Sequence, residues 1–327
     1  MIEQNPYALF LAELAKRRGI TVRRLEPTGR LGRYEYRGRV QFVGGGAIID
    51  AASGATVRLA NNKYATINAL RLGGFPVAYH RLCKSTDEAR TFLGRHRDIV
   101  IKPVDSIRGQ GITVGVKTRR QLAAAVRHVH RRTFLAERRI IGRDYRLLVI
   151  NYKIVYGILR LPAYVVGDGR SMIRQLINEK NRIPIDYKVA IPKDQLTKDV
   201  LREQRLTLAS VPAAERVLTL RQTANLHTGG TTVDATDDLR AAVRRQAIAV
   251  ARYLKLPVAG IDVISPDIKK SFGTIIEVNA GAGLRIHHFP HIGRPRLPGE
   301  DILDMLFPAT KHRRATVTPK RLARLSK

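Results

Sequence analysis

Apolar residues recur along the chain at the spacing of helices in some segments and at the spacing of strands in others. Residues 6–18 have apolar positions at helical spacing and end at Gly19, the residue type that often terminates a helix. The same periodicity predicts helices at residues 62–72, 118–132 and 240–254. Short apolar runs predict strands at residues 20–25, 34–36, 40–43, 98–102, 112–116, 146–149, 153–159, 259–264 and 274–278.

Turn residues and polar stretches separate these elements into lobes. Asn151 and Tyr152 lie between two predicted strands and indicate the turn of a hairpin. Residues 182–198 are polar and interrupted by prolines, which predicts a mobile loop, and the basic residues 311–327 predict a flexible tail. Because helices alternate with hairpins, we expect an α+β fold. The expected domains are a short αβ N-terminal lobe at 1–58, a main domain at 59–308 and a basic tail at 309–327.

The composition is that of a folded globular protein. Of the 327 residues, 44% are hydrophobic and 26% are charged, and no apolar run approaches the roughly 20 residues that span a bilayer. The first ten residues, MIEQNPYALF, do not have the pattern of a signal peptide. The single cysteine, Cys83, excludes an intramolecular disulfide, and we expect it to be structural. These features predict a cytoplasmic protein that does not bind membranes.

The net charge is the unusual feature of the sequence. It is +32, from 59 Lys and Arg against 27 Asp and Glu. Such a charge attracts polyanions, whether nucleic acid, nucleotides or an acidic substrate. A host whose proteins are generally basic would give the same composition. No stretch interleaves aromatic residues with arginine as base-stacking surfaces do, so the pattern does not favour nucleic acid among these partners.

A loop with glycines between two predicted strands is a candidate for phosphate binding. Residues 98–116, DIVIKPVDSIRGQGITVGV, place Lys102 at the end of one strand and Gly109 and Gly111 in the following loop. Glycine lets backbone N–H groups approach phosphates closely, and a lysine supplies a positive charge. The glycine spacing fits neither a P-loop nor a dinucleotide fingerprint. An ordinary hairpin with a glycine turn also explains this pattern.

Two carboxylates and an amide near the C-terminus are candidates for metal binding. In residues 274–279, TIIEVN, the alternation of a strand puts Glu277 and Asn279 on one face and Ile276 on the other. Antiparallel pairing with the preceding strand would bring Asp262 beside them. Three hard oxygen ligands on rigid strands suit Mg²⁺. Alternatively, strand carboxylates face solvent, and a buried pair needs either a cation or an arginine.

The order of these residues resembles that of the ATP-grasp ligases. Lys63, Lys102, the loop at 105–111 and the three candidate metal ligands follow one another as they do in that family. More narrowly, the chain is similar to the ATP-grasp module of cyanophycin synthetase from about residue 60 to residue 308. The similarity lies in the strings GRDYRLLV (142–149), PAYVVGDG (162–169), NLHTGG (225–230) with Asp234 after it, AGIDV (259–263), EVNA (277–280) and DILDMLFP (301–308).

This resemblance implies an ATP-grasp fold, in which two α+β lobes grip ATP, with Mg²⁺ as the second cofactor. The metal ligands it implies are Asp262, Glu277 and Asn279. One of the implied ATP contacts, Glu137, lies in the hinge-like segment 134–141, where the family holds adenine and ribose. The full set of implied ATP-binding residues is Lys63, Lys102, Asp105, Ser106, Gly109, Gly111 and Glu137.

The resemblance also implies residues for the substrate and for the reaction. Arg146 and Arg221 would stabilise the negative charge of phosphoryl transfer and of an acyl phosphate. The implied substrate-binding residues are Asn225, Gly229, Gly230, Arg285 and His287. For Arg285 and His287, which follow the metal-binding strand, a structural role is an equally good interpretation.

The activity that the resemblance implies is ATP-dependent ligation of a carboxylate to an amine through an acyl phosphate. The expected substrate is an amino acid, an acidic peptide or an acidic polymer. A glutathione-synthetase-like ligase with a single small acceptor is the alternative within the same class. A basic protein associated with nucleic acid, built on the same scaffold without turnover, is the alternative from another class. Association into an oligomer is compatible with the sequence.

The chain also departs from the cyanophycin synthetase pattern. The Mur-ligase-like half of that family, with its own P-loop, and its large N-terminal domain have no counterpart in these 327 residues. His227 stands where the family often has serine, and Ala-Gly-Ala-Gly at 280–283 stands where Ala-Ala-Pro-Gly is usual. We therefore expect a stand-alone module with an altered acceptor site that does not make cyanophycin by itself.

Overall fold

The computed structural model describes residues 6–28, 30–45, 47–105, 110–183 and 189–314, with side chains from residue 10 onward. Ser106 and Gly109, both predicted to bind ATP, lie outside the described residues. Residues 184–188 of the predicted loop and residues 315–327 of the predicted tail also lie outside them.

Helices and antiparallel strands alternate along the chain, as an α+β fold requires. The helices are α1 (Pro6–Arg17), α2 (Gly54–Ala60), α3 (Lys63–Leu72), α4 (Thr86–His96), α5 (Arg119–Val129), α6 (Ile173–Arg182), α7 (Gln195–Glu203), α8 (Ala241–Tyr253), α9 (Arg285–His288) and α10 (Pro298–Leu306). The strands are β1 (Thr21–Arg24), β2 (Leu31–Tyr36), β3 (Arg39–Gly44), β4 (Ile48–Ile49), β5 (His80–Cys83), β6 (Ile99–Pro103), β7 (Thr113–Val116), β8 (Phe134–Arg138), β9 (Arg143–Ile150), β10 (Ile154–Leu161), β11 (Tyr164–Val166), β12 (Val217–Thr219), β13 (Thr231–Asp234), β14 (Val258–Ser265) and β15 (Thr274–Asn279).

The described chain divides into two compact units. The first unit takes its residues from 1–78, 140–159 and 234–327, and the second takes them from 79–139 and 160–233. Residues on both sides of the predicted boundary between 58 and 59 lie in the first unit, and that boundary stays a prediction. In the part of the chain that the structure describes, no helix is long and apolar enough to cross a membrane.

A central sheet organises the first unit, and four of its strands lie in the order β10–β9–β14–β15. Strands β9 and β10 are joined at Asn151 and Tyr152, whose φ angles of 51° and 55° are those of a two-residue hairpin turn. The hairpin predicted from the sequence is therefore confirmed. One face of the sheet packs against α8 in an apolar core that includes Leu147, Val149, Ile261, Val263, Ile275, Val278, Val243, Ala247 and Val250.

The N-terminal elements of the first unit pack against its C-terminal elements. Strands β1 to β4 form an antiparallel sheet in sequence order. Helix α1 ends at Arg17, and Gly19, two residues later, has a φ of 77° that favours glycine, as predicted for a residue that terminates a helix. The Phe10 ring on α1 lies 4.6 Å from the His288 ring. Leu14 packs so closely on Gly299 that a Cβ there would lie 2.7 Å from Leu14 Cδ1.

A buried ion pair joins the end of α1 to α10, and its loss should destabilise the protein. Arg18 donates to Glu300 Oε2 at 2.7 Å and to Asp304 Oδ1 at 2.7 Å, and the Arg18 and Glu300 side chains are fully buried. Because Arg18→Met leaves Glu300 buried without a positive partner, we expect the free energy of unfolding to fall by about 3–5 kcal/mol. Urea denaturation followed by circular dichroism measures this change.

The matched control for this prediction is Arg17→Met at the neighbouring position. Arg17 forms an exposed pair with Glu13 one helical turn away, at 3.5 Å. Exposed pairs of this kind stabilise a helix by about 0.3–0.5 kcal/mol, so the control should remain close to the unaltered protein. Equal stabilities for the Arg17 and Arg18 variants would contradict the structural role given to Arg18.

The second unit has two apolar cores. In the first, a four-stranded sheet with the order β5–β8–β6–β7 packs against α4 and α5. Its buried residues include Cys83, Phe92, Ile99, Ile101, Leu122, Val129 and Phe134. In the second core, α6 and α7 pack with the paired strands β11 and β12 through Ile173, Ile177, Ile191, Leu201 and Leu218.

Two segments of the second unit differ from the sequence predictions. Residues 195–198, predicted to be loop, form the first turn of α7, because Asp194 caps that helix by accepting the Thr197 N–H at 3.0 Å. Residues 134–138, predicted to be part of a hinge, form β8 inside a sheet. Within the segment predicted to be hinge-like, one boundary between the two units falls between residues 139 and 140. Helices α2, α4, α6, α9 and α10 were not predicted.

Candidate active site

Three charged side chains form a row across the central sheet of the first unit. Asp262 on β14 is the direct partner of Arg146 on β9 and of Glu277 on β15. Direct partners on antiparallel strands point to the same face of a sheet. Their sequence neighbours Leu147, Ile261 and Val278 lie in the core against α8, so the charged row occupies the opposite face. The predicted proximity of Asp262 and Glu277 is confirmed.

Each carboxylate in this row has a positive partner. Arg146 donates through Nη2 to Asp262 Oδ2 at 2.9 Å and through Nε to Asp262 Oδ1. Its side chain lies over Gly260, where a Cβ would be 3.1 Å from Arg146 Nη1. Lys63, at the start of α3, places Nζ 3.1 Å from Glu277 Oε1. These pairs supply the positive charge that partly buried carboxylates require.

A β-bulge separates the charged row from the start of β15. Asp262 pairs with Glu277 and Val263 pairs with Ile275, so Ile276 is the extra residue of the bulge. Ile275 is fully buried in the core, whereas Ile276 is only partly buried. The alternation predicted from the sequence therefore holds from Glu277 onward but not at Ile276. A bulge adds one residue to the strand, so the side chains before and after it are out of step in the face to which they point.

The first unit holds three further predicted site residues, which are Asn279, Arg285 and His287. Asn279 lies opposite Gly260, two residues along from the charged row, and its buried Nδ2 has no hydrogen-bond partner among the described residues. Arg285 and His287 are buried in α9. Burial, followed by the positive charge of Arg146, lowers the pKa of His287 well below its ordinary value. The His287 imidazole is therefore neutral at pH 7.

The oxygen donors of the first unit fit Mg²⁺ by chemical type. Asp262 and Glu277 supply carboxylates and Asn279 supplies an amide, and Mg²⁺ prefers oxygen ligands of these kinds. Within the described ranges, no group of three or more His, Cys, Asp or Glu side chains has the geometry of a metal cluster. Mg²⁺ does not need such a cluster, since it usually binds one or two carboxylates together with water and phosphate.

In the second unit, Lys102 and Glu137 form a buried ion pair. Lys102 Nζ lies 2.7 Å from Glu137 Oε2, and the two side chains are 6% and 5% exposed. Lys102 is on β6 and Glu137 is on the adjacent β8, so both are held by the sheet. The structure thus brings together two residues that the family resemblance assigned to different parts of ATP, the phosphates and the adenosine.

The glycine-containing loop is described only at its two ends. Asp105 is largely exposed, and its Oδ1 lies 3.5 Å from Arg131 Nε. Gly111 has a φ of 70°, and a Cβ at this position would lie 2.9 Å from the Pro103 side chain. Gly111 is therefore required by the backbone conformation and by the close approach of Pro103.

Arg221 and the NLHTGG string form the remaining group in the second unit. Arg221 is 4% exposed and donates through Nη2 to Asp194 Oδ2 at 2.8 Å. Asn225 begins a 3-10 turn by accepting the His227 N–H at 2.9 Å. Gly229 follows with a φ of 86°, and Gly230 donates its N–H to the Asn225 carbonyl at 3.2 Å. The two glycines allow this tight turn.

The predicted site residues fall into two groups, one in each unit. The group in the first unit is Lys63, Arg146, Asp262, Glu277, Asn279, Arg285 and His287. The described group in the second unit is Lys102, Asp105, Gly111, Glu137, Arg221, Asn225, Gly229 and Gly230. Residues of these groups form four buried or partly buried ion pairs, which are Lys63–Glu277, Lys102–Glu137, Arg146–Asp262 and Arg221–Asp194.

Comparison with known proteins shows what the chain is related to, although no protein-family model matches it. It is 37% identical to cyanophycin synthetase of Trichormus variabilis over 267 residues, which are 77% of this chain and 30% of that protein. It is 32% identical to the glutathione biosynthesis bifunctional protein of Clostridium perfringens over 286 residues, 82% of this chain and 37% of that protein. The crystal structure of a bifunctional glutathione synthetase from Pasteurella multocida has a TM-score of 0.66 and 28% identity, covering 89% of this chain and 42% of that one. The chain belongs to the ATP-grasp ligases.

Membership of the ATP-grasp family confirms the predicted α+β fold and the resemblance to cyanophycin synthetase. The chain spans 30% of the length of the Trichormus cyanophycin synthetase, so the relationship concerns the ATP-grasp part of those proteins. Which of its residues bind ATP, metal or substrate stays a prediction.

The sequence did not point to Asp194, which is the ion-pair partner of Arg221. Asp194 lies in the polar, proline-interrupted segment that was predicted to be a loop. A signal was present, because Asp immediately before a run with helical apolar spacing indicates an N-cap. Burial tends to raise the pKa of Asp194, but hydrogen bonds from Arg221 and Thr197 outweigh it, so its pKa lies below the ordinary value. Asp194 is therefore charged at pH 7.

Proposed function

We propose that this ATP-grasp protein is a ligase that joins a carboxylate to an amine and forms ADP. The observation that supports this most directly is the charged row of the first unit, in which Arg146, Asp262 and Glu277 are cross-strand partners and Lys63 pairs with Glu277. The row combines oxygen ligands suited to Mg²⁺ with cations suited to phosphate. It lies in a chain related to two kinds of synthetase.

The proposed reaction has two steps and needs no covalent enzyme nucleophile. A carboxylate oxygen attacks the γ-phosphorus of ATP, the bond to ADP breaks, and an acyl phosphate forms. The substrate amine then attacks the acyl carbon, loses a proton, and expels phosphate. Positioned cations stabilise the charge that moves onto oxygen in both steps. The protein's task is to bind, orient and neutralise charge, which agrees with buried arginine and lysine residues in both units.

We assign the cofactor contacts to the two units separately. In the first unit, Asp262, Glu277 and Asn279 would hold Mg²⁺, and Lys63 would bind ATP phosphate. In the second unit, Lys102 and the loop ending at Gly111 would bind ATP phosphate. Mg²⁺, when bound, neutralises phosphate charge during phosphoryl transfer. The described partners of these residues are the ion pairs reported above.

The proposed substrates are an amino acid as amine donor and a peptide or polymer with acidic groups as carboxylate donor. The net charge of +32 supports an acidic substrate, because it attracts polyanions. A single small acceptor is a second candidate. It is supported by the bifunctional glutathione synthetase structure, which covers 89% of this chain.

We place the protein in the cytoplasm. Its single cysteine, Cys83, is fully buried, and burial raises the pKa of the thiol to about 11. The thiol is therefore protonated and unreactive at neutral pH. Nothing in the described fold depends on an oxidising compartment, where disulfides form.

Incubation with Mg-ATP and a substrate panel tests the proposed reaction. The panel pairs each amino acid with aspartate, glutamate, short acidic peptides and poly-aspartate, and the products are followed as ADP, phosphate and coupled mass. We expect ADP and phosphate in equal amounts with a product heavier by one residue. Release of AMP and pyrophosphate, or no turnover with any pair, would contradict the proposed reaction.

Salt dependence separates a polymeric acceptor from a single small one. Screening acts over about 10 Å at 0.1 M salt, so many distant charges attract a polymer but few attract a small ligand. We expect the kcat/KM for a poly-aspartate acceptor to fall at least about tenfold between 0.05 and 0.3 M salt, because several contacts release counterions together. The kcat/KM for a single amino acid should change less than about threefold over the same range.

The same experiment can be repeated with a variant of helix α5. Arg119, Arg120 and Arg127 are exposed on α5, and no described carboxylate forms an ion pair with them. Changing all three to glutamine should weaken the poly-aspartate reaction and leave the KM for ATP unchanged. Equal salt slopes for the two acceptors would favour the single-acceptor alternative. Tight binding of duplex DNA with an equally steep slope, without ATP, would favour the nucleic-acid alternative.

A further inference from the structure

The Arg221 guanidinium has hydrogen-bond donors that nothing in the described structure accepts. Arg221 is 4% exposed, and its Nη2 donates to Asp194 Oδ2 at 2.8 Å. Its Nε and Nη1 atoms are buried and have no hydrogen-bond partner among the described residues. Leaving the donors of a buried charged group unpaired costs free energy. An oxyanion at either atom would satisfy a buried donor, since a guanidinium forms short charge-assisted hydrogen bonds with oxyanions.

Asp194 holds Arg221 and caps a helix at the same time. Its Oδ1 accepts the Thr197 N–H at 3.0 Å at the start of α7, and its Oδ2 accepts from Arg221. Thr197 is itself fully buried and donates its hydroxyl to the Pro192 carbonyl at 2.6 Å. The Asp194 carboxylate is therefore fixed by the helix end. It in turn fixes the rotation of the guanidinium.

The short segment 191–194, which contains Asp194, also packs against the NLHTGG turn at residues 225–230. Ile191, three residues before Asp194, donates its N–H to Asn181 Oδ1 at 2.8 Å and accepts from Asn181 Nδ2 at 3.1 Å. Its side chain packs on Gly229 so closely that a Cβ at this position would clash with Ile191 Cγ1. Residues 191–194 thus contact two of the predicted site positions, Arg221 and Gly229. Both contacts are within the second unit.

We propose that Asp194 is a positioning residue of this ligase, which orients Arg221 so that one of its buried donors, Nε or Nη1, binds an oxyanion during the reaction. The proposal rests on the proposed function. The oxyanion has two sources with the same chemistry, the transferred phosphoryl group and the substrate carboxylate. Asp194 acts through Arg221 and does not itself touch the oxyanion.

Asp194→Asn removes the charge and retains the cap. Asparagine caps helices as well as aspartate does, so α7 should keep its stability. A neutral acceptor binds a guanidinium about half as strongly as a carboxylate does, so Arg221 loses much of its restraint. Asp199→Asn is the matched control, because Asp199 lies in α7 and its side chain makes exposed contacts with Gln195 and Arg202.

Steady-state kinetics and thermal unfolding of the full chain test the proposal. For Asp194→Asn we expect kcat/KM to fall at least about tenfold with a melting temperature within about 2 °C of the unaltered protein. Asp199→Asn should change neither quantity. A fall in kcat identifies the transferred phosphoryl group as the oxyanion, and a rise in KM for the carboxylate substrate alone identifies the carboxylate. In an Arg221→Gln background, Asp194→Asn should have no further effect, as coupling through Arg221 requires.

Binding of inorganic phosphate, followed by 31P NMR titration, tests the positioning without turnover. We expect Asp194→Asn and Arg221→Gln to weaken phosphate binding by the same factor, and Asp199→Asn to leave it unchanged. If the unaltered protein turns over no substrate but this pattern is found, the proposed function fails and the positioning role stands. Kinetics and phosphate binding of Asp194→Asn equal to those of Asp199→Asn would overturn the positioning role. Losses of activity and of phosphate binding that are explained by a lowered melting temperature would also overturn the positioning role.

Discussion

Replacing Glu277 by glutamine is expected to lower ADP formation at least about 100-fold while the protein stays folded. Changes to groups that merely support a metal ligand cost about 10–100-fold, and Glu277 is predicted to be a ligand itself. Its carboxylate also pairs with Lys63 at 3.1 Å, so the change removes charge from the metal site and the restraint on a predicted phosphate-binding lysine. A coupled assay for ADP at saturating Mg-ATP measures the effect, with circular dichroism as the check on folding.

The matched control for Glu277 is Glu35→Gln. Glu35 is likewise a strand glutamate of the first unit with one positive partner, Arg33 at 2.5 Å. The control should retain activity within about twofold, as expected of a surface ion pair. An active Glu277→Gln protein, with a Mg²⁺ requirement like that of the Glu35 variant, would show that the charged row is a structural ion-pair network.

The second large effect is expected from Lys102→Met. Lys102 is buried and pairs with Glu137 at 2.7 Å, so the change removes a charge from the predicted phosphate site and leaves Glu137 unpaired. We expect binding of ATP to weaken at least about tenfold, and the free energy of unfolding to fall by about 3–5 kcal/mol. Calorimetric titration with Mg-ATP and urea denaturation measure the two effects separately.

A double variant separates ATP binding from stability. Lys102→Met with Glu137→Gln leaves no buried charge unpaired, and replacing both members of a buried pair is often nearly neutral for stability. The double variant should therefore regain most of the lost stability without regaining ATP affinity. Lys117→Met, at an exposed lysine of the same unit, should change neither quantity. Normal ATP affinity in the stable double variant would mean that the pair serves only the fold.

The charged row could be predicted in part because strands obey a simple local rule. Side chains alternate along a strand, so Glu277 and Asn279 were placed on one face, and a short connection implied that Asp262 lies beside them. The bulge at Ile276 could not be predicted, because it depends on pairing between strands and leaves no trace in the alternation itself. The sequence therefore grouped Asp262, Glu277 and Asn279 correctly, but the predicted alternation failed at the neighbouring Ile276.

The partners of the buried charges could not be predicted from local patterns. Arg18 and Glu300 are 282 residues apart in the sequence, and Lys63 and Glu277 are also far apart along the chain. No spacing rule connects such residues, because their contact follows from the packing of whole elements. The cap of α4 was different. Ser85 accepts the Glu88 N–H at 3.2 Å, and this Ser-x-x-Glu signal was present in the sequence but was not used.

The measurement that tests the central claim most directly follows an oxygen atom from the substrate to phosphate. The carboxylate substrate is labelled with ¹⁸O, the reaction is run with Mg-ATP and the amine, and the phosphate released is analysed by mass spectrometry. An acyl phosphate keeps one carboxylate oxygen as its bridge to phosphorus, and attack by the amine at carbon leaves that oxygen on phosphate. We predict one ¹⁸O atom in each phosphate formed with coupled product. Unlabelled phosphate, or label appearing in AMP, would contradict activation of the carboxylate as an acyl phosphate.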